Sequence, residues 1–241
     1  MISNKDKSLK EIFQLFEATS NLVLSQLDIL IKAIKEDNRS GISEAQLEIL
    51  NTRENEIDGN EIKFDSLIIQ TIVLYKPVAS DLRQLFAIYR MINNLERIGD
   101  LSLKIADILL EIQDSEFFQI ISPLFRKMLK QACNMVQDAL LSFINRDVEL
   151  AFSTIREDKE IELLNKKFLR HSIKKAEGLI EANEFILLAE MRSILSSFER
   201  IGDHATNIAE ASVYALSGSN IKHQEISRSK KMAILKRKSG K

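Results

Sequence analysis

Apolar residues recur along this chain in steps of three and four. Phe16, Val23, Leu27, Leu30 and Ile34 form one such series, with Ser20 filling the remaining seat. A helix with that seam buries one face in a bundle. The pattern predicts a first helix over residues 6–37, ended by Asn38-Arg39-Ser40-Gly41. Ser43-Glu44-Ala45-Gln46 has the form of a capping box and opens a second helix that reaches Tyr75. Pro77 interrupts it, and Ser80 is expected to cap a third helix running to Gln113. Ser122-Pro123 reads as the start of a fourth, a cap followed by proline at the first helical position. Phe125, Leu129, Ala132, Val136, Ala139 and Phe143 then continue in unbroken four-three steps. Asp147 is expected to cap a fifth helix, to Glu181, and Asn183 a sixth that ends at Ser217-Gly218.

Six helices in two runs of three predict an all-α fold of two tandem three-helix bundles related by an internal repeat. The first bundle covers residues 1–118, the second residues 119–216, and a tail follows over residues 217–241. Only two prolines, seven glycines and no tryptophan stand in 241 residues, which excludes a turn-rich β fold. The single cysteine, Cys133, excludes a disulfide framework and fits a small core residue in a reducing compartment. Met1 to Lys10 is polar rather than leader-like, and no apolar run approaches the ~18 residues a membrane span needs. The expectation is a cytoplasmic protein.

The tail differs in kind. From Ser217 it carries eight Lys or Arg against one acid, Glu225, hence +7, and with the whole chain at −1 the rest carries −8. A run of that composition reads as a solvated, disordered tail. The second reading is attraction to an anionic partner, a membrane surface above all.

The chemistry concentrates in a repeated motif. Glu96-Arg97-Ile98-Gly99-Asp100 recurs as Glu199-Arg200-Ile201-Gly202-Asp203. Each copy sets two carboxylates four residues apart on one helix face, where like charges repel by a few tenths of a kcal/mol. Each also carries a glycine, which costs about 1 kcal/mol in a helix interior. Helix 2 has a matching pair, Glu54 and Asp58, and helix 5 has Asp158 and Glu162. Positions 54 and 100 are equidistant from Pro77, as are 58 and 96. In an antiparallel hairpin, at ~1.5 Å rise per residue, these pairs therefore share one height. Positions 158 and 203, and 162 and 199, are likewise symmetric about the turn expected near 180–181.

If the pairs face each other, four carboxylates gather in each half, and protons or metal ions must neutralise them. An all-oxygen donor set suits hard cations, iron first, with manganese, magnesium, calcium or zinc as alternatives. Gly99 and Gly202 would then admit a partner or ion close to the backbone. Arg97 and Arg200 sit one helical position away, about 100° around the helix. Asp107, Glu210 and His204 are outer candidates on or beside the same stripe.

With these motifs, together with Arg53-Glu54-Asn55-Glu56-Ile57-Asp58 and Ala79-Ser80-Asp81-Leu82-Arg83, the chain resembles the PhoU family over residues 8–216. The resemblance implies multinuclear metal clusters on Glu54, Asp58, Glu96, Asp100, Asp158, Glu162, Glu199 and Asp203. It also implies a cytoplasmic, dimeric regulator that restrains the phosphate-starvation response. Its partners would be the ATPase subunit of the phosphate transporter and a membrane sensor histidine kinase. Two features depart from the pattern: Glu162 stands where aspartate is expected, and nothing in the family accounts for the basic tail. The alternatives are a di-iron metalloenzyme and a metal-free scaffold. The first needs Glu-x-x-His pairs, and none of His171, His204 or His223 has glutamate three residues before it.

Overall fold

The computed structural model describes residues 3–34, 40–158, 161, 163, 165, 182–221 and 234. Among these the chain is all helical, with no strand. The helices are α1 (Asn4–Ala33), α2 (Glu44–Tyr75), α3 (Ser80–Ile112), α4 (Glu116–Ile144), α5 (148–158, with 161, 163 and 165 also helical) and α6 (Ala182–Ser217).

Most helix ends follow from local chemistry. Ser43 accepts from the backbone of Gln46, and the Gln46 side chain closes the box on the backbone N–H of Ser43. Asp147 Oδ1 accepts from the N–H groups of Glu149 and Leu150, so it caps α5. Gly218, in the left-handed region at φ 71°, ends α6 and donates its N–H to Tyr214 O. Asn183, the expected cap of α6, already lies within the helix.

Two further starts differ from the sequence expectation. Ser80 is the first helical residue of α3 rather than its cap; the cap is Ala79, at φ 45° and without a side-chain hydrogen bond. The tight connection around Pro77 has both Lys76, the C-cap of α2, and Ala79 at positive φ. Ser122-Pro123 lies inside α4, which begins about two turns earlier at a Ser115 cap whose Oγ accepts from Phe118 N. Proline in a helix interior leaves the carbonyl four residues back without its donor. Here that carbonyl is Gln119 O, and Ser122 Oγ donates to it at 3.0 Å. Burial of Phe118 and Ile121 rewards continuing the helix through the proline.

α1, α2 and α3 pack on one another, but the two halves share one hydrophobic core. The most extensive helix pair is α3 with α6, and α4 packs on both α6 and α1. Arg90 stacks over Tyr214, Asn94 meets His204 and Arg83 lies against Gly218, so α3 and α6 run antiparallel. The edge-to-face chain Phe118–Phe125–Phe198 carries the core from α4 to α6. Cys133 is buried in it, as expected of a core residue. Ile221 and Ile234 of the tail are buried in the same core, so at these positions the tail is held to the body rather than solvated.

Candidate metal centre

The hairpin of α2 and α3 brings Glu54 to Gly99. A side chain at position 99 would meet the Glu54 carboxylate, its Cβ 3.0 Å from Oε1 and closer still to Oε2. This is one residue from the register that equal arm lengths on either side of Pro77 require. Glu54 is 6% exposed. Gln26, on α1 and fully buried, donates from Nε2 to Glu54 Oε2 at 2.9 Å. Glu54 Oε1 is buried with no hydrogen-bond partner. An unpaired anionic oxygen in such surroundings is costly. Burial accordingly pushes the carboxyl up to about 7; Gln26 opposes this, while Asp100, Asp58 and Glu96 add to it.

Glu96 faces the same region, its side chain 14% exposed. Burial raises its pKa, and Asp100 raises it further against the pull of Arg97. Arg97 is not turned away from the site. Its Nε lies 3.2 Å from Glu96 Oε2, and its Nη1 donates to Asp100 Oδ2 at 3.3 Å. The long side chain folds back across the ~100° that separates the positions, drawn by two carboxylates. Glu61 on α2 joins the same field: burial raises its pKa, Asp65, Asp58 and Asp100 reinforce the shift, and Arg97 opposes it. Gln26 and Glu61 escape a reading of the doubled motif. Their signals were a polar residue on the apolar stripe of α1 and an acid three residues beyond Asp58.

In the second half Asp158 takes the place of Glu54. Its Oδ1 lies 3.5 Å from where a Cβ of Gly202 would stand, and Ile161 Cδ1 fills the nearer space at 2.9 Å. Glu199 is half-buried on α6, and Asp203 is exposed. Glu162, His171 and His223 lie outside the described residues. His204 belongs to the seam between the halves, where its Nδ1 pairs with Asn94 Oδ1 at 2.9 Å. Burial, with the charges of Arg200 and Arg97, lowers its pKa to about 4. Asp107 is exposed, and burial, followed by the charge of Glu111, raises its pKa. Glu210, also on α6, is half-buried.

The donor chemistry of the first half suits a hard cation: four carboxylates, one buried with a bare oxygen, beside a glycine that leaves room for it. The shape is looser than the sequence suggested. Among the described residues no three His, Cys, Asp or Glu side chains stand close enough together to hold an ion. Arg97 already engages two of the four, Glu96 and Asp100. An ion held by all four would compete with Arg97 for these two.

Comparisons with known proteins find the same doubling of the chain. A family model for the PhoU domain matches the chain twice, at residues 16–109 and 125–212. The chain belongs to the PhoU family. It is 34% identical over 171 residues to the phosphate-specific transport system accessory protein PhoU homolog 1 of Thermotoga maritima, covering 69% of this chain and 71% of that one. It is 30% identical over 220 residues to the PhoU homolog of Pseudomonas putida, covering 91% and 83%. The crystal structure of PhoU from Pseudomonas aeruginosa superposes with TM-score 0.77 at 28% identity, covering 89% of this chain and 99% of that one. The phosphate transport system regulatory protein PhoU from Streptococcus pneumoniae gives TM-score 0.77 at 22% identity and shares the fold.

Proposed function

We propose that this chain is an accessory regulator of phosphate transport, not an enzyme, and that it responds through cation binding at its carboxylate motifs. The observation that carries the role is the name its relatives bear: phosphate-specific transport system accessory protein. In this reading the protein is a cytoplasmic homodimer linking the transporter's ATPase subunit to a membrane sensor histidine kinase, and it restrains the phosphate-starvation response. No helix among the described residues is long and apolar enough to cross a membrane.

The support for cation binding is Glu54, with its buried bare oxygen beside Gly99. Glu54, Asp58, Glu96 and Asp100 would hold the ion in the first half, and Asp158, Glu162, Glu199 and Asp203 in the second. A bound hard cation, iron first among them, would neutralise the carboxylate charge that Arg97 leaves uncompensated. Gln26 orients Glu54 by fixing one of its oxygens, which leaves the other to face the site. Arg97 is the internal competitor for Glu96 and Asp100. The basic tail, for its part, is read as an electrostatic contact with anionic membrane, where each basic residue contributes about 1 kcal/mol.

The test is genetic and elemental. Deleting the gene should leave phosphate-responsive genes switched on in phosphate-rich medium, and intact repression would refute the regulatory role. Elemental analysis of protein purified without chelator should find ions in stoichiometric amount; metal-free protein that still represses would separate the role from the metal.

A further inference from the structure

α1 and α4 are equivalents in the repeat, since the seam from Phe16 to Ile34 and the seam from Phe125 to Phe143 take the same four-three steps. That equivalence pairs Glu17 with Arg126. The two helices cross antiparallel: Phe16 packs edge-to-face on Phe143 at 5.5 Å, while Arg126 reaches Ile34. Residue 126 therefore meets the C-terminal turn of α1, and residue 17 meets that of α4. At the first junction Arg126 Nη1 donates to Ile31 O and, at 2.6 Å, to Ile34 O, closing the helix end. At the second the last turn of α4 closes on itself. Leu141 O, Ser142 O and Phe143 O accept from the N–H groups of Asn145, Asp147 and Arg146. No side chain from α1 is needed there, and Glu17 could donate nothing if it were.

The volume that a guanidinium fills at one junction is empty at the other. A solvent-open cavity of about 200 Å³ lies there, lined by Phe13, Phe16, Glu17, Gln84, Phe143 and Arg146 among others, with Glu17 and Arg146 exposed. Phe13 stacks on Phe143 with centroids 6.0 Å apart, so three phenyl rings form its apolar wall. Glu17 makes no hydrogen bond or ion pair to a described residue. Arg146, which already has an interaction of its own, reaches the cavity from a left-handed backbone, φ 57°, a conformation costly for a non-glycine residue. The lining thus offers one carboxylate, one guanidinium, an amide and an aromatic wall. A cavity of 150 Å³ accommodates benzene, so this one accommodates a phenyl ring and a few further atoms.

We propose that this cavity binds a small zwitterion with an apolar body, of the class of an aromatic α-amino acid. The ring packs against Phe13, Phe16 and Phe143, the ammonium faces Glu17 and the carboxylate faces Arg146, with Gln84 as a further hydrogen-bonding group. Glu17 lies nine residues before Gln26 on α1, about 14 Å along the helix, so this site stands apart from the carboxylate motifs and does not depend on the metal reading.

Calorimetric titration of the full chain with L-phenylalanine is the direct test, with phenethylamine and 3-phenylpropionate as probes lacking one charge each. Saturable binding of L-phenylalanine is expected, weakened about two- to fivefold by removing either charge from the ligand or by Glu17→Gln. Glu17→Arg should plug the cavity as Arg126 plugs its counterpart, abolishing binding and raising Tm. Absence of binding at millimolar L-phenylalanine, or equal binding by Glu17→Gln, overturns the site. Equal binding of all three ligands overturns its zwitterionic class.

Discussion

The Glu54 carboxylate occupies the space that a side chain on Gly99 would need, whereas at Gly202 Ile161 fills that space and Asp158 stands at ordinary contact distance. Each glycine faces the helix before it, and in the first half it admits a carboxylate from that helix. The contact is closer in the first half, where glutamate is one methylene longer and no apolar side chain intervenes.

Alanine substitution should separate three helical glycines. Nothing lies within 4 Å of a Cβ at Gly59, so Gly59→Ala should stabilise by up to about 1 kcal/mol, roughly 2–4 °C in Tm. Gly99→Ala gains the same helix propensity but must displace buried Glu54, at a typical overpacking cost of about 1–3 kcal/mol. It should be neutral to destabilising and weaken first-half metal binding. Gly202→Ala presses on the flexible end of Ile161 and should fall between the two. Thermal melts of the three variants rank them; Gly99→Ala melting as high as Gly59→Ala would contradict the contact.

Acidification acts on Glu54 and His204 with opposite sign. The Glu54 pKa is raised from 4.5 to about 7, so the folded state binds the extra proton and its contribution to stability is lost as pH rises through that window. The His204 pKa is lowered from 6.5 to about 4, so its contribution is present above 6.5 and lost as pH falls toward 4. Relative to wild type, metal-free Glu54→Gln should lose stability more steeply on going from pH 7 to pH 5. His204→Gln should gain stability over the same range. Denaturant melts at three pH values would show it, and parallel profiles would contradict both assignments.

Arg97 competes with any cation for Glu96 and Asp100. Its side chain is 57% exposed and that of Asp100 51%, so the pairing contributes at most about 1 kcal/mol to folding. Arg97→Gln should leave Tm nearly unchanged and tighten first-half cation binding a few-fold, measured by titration with manganese. Weaker binding would mean that Arg97 organises the carboxylates rather than opposing an ion.

Asp100→Asn and Asp203→Asn each remove one charge at nearly constant volume. Elemental analysis should find metal depleted by one set of sites in each variant and by both sets in the double variant. Loss of all metal from either single variant would mean that the seam at Asn94 and His204 makes the halves depend on one another.

The sequence by itself determined the helices, the repeat and the height at which Glu54 meets α3. Capping by Ser43 and Asp147, the breaks at Pro77 and Gly218 and the 3.6-residue period are local, and register in a hairpin follows from equal arm lengths. Tertiary structure decided what lies around each helix axis. The sequence could not tell that Arg97 folds back onto Glu96 and Asp100, because that depends on which face of α3 the neighbouring helices leave open. Gln26 reaches Glu54 only because α1 packs along α2, and His204 finds Asn94 only because α3 and α6 run antiparallel across the halves. Pro123 reads as a helix start until Ser122 Oγ satisfies the carbonyl it orphans and the shared core rewards the extra turns. The same holds at Glu17: its repeat partner Arg126 is visible in the chain, but only packing shows one junction sealed and the other open.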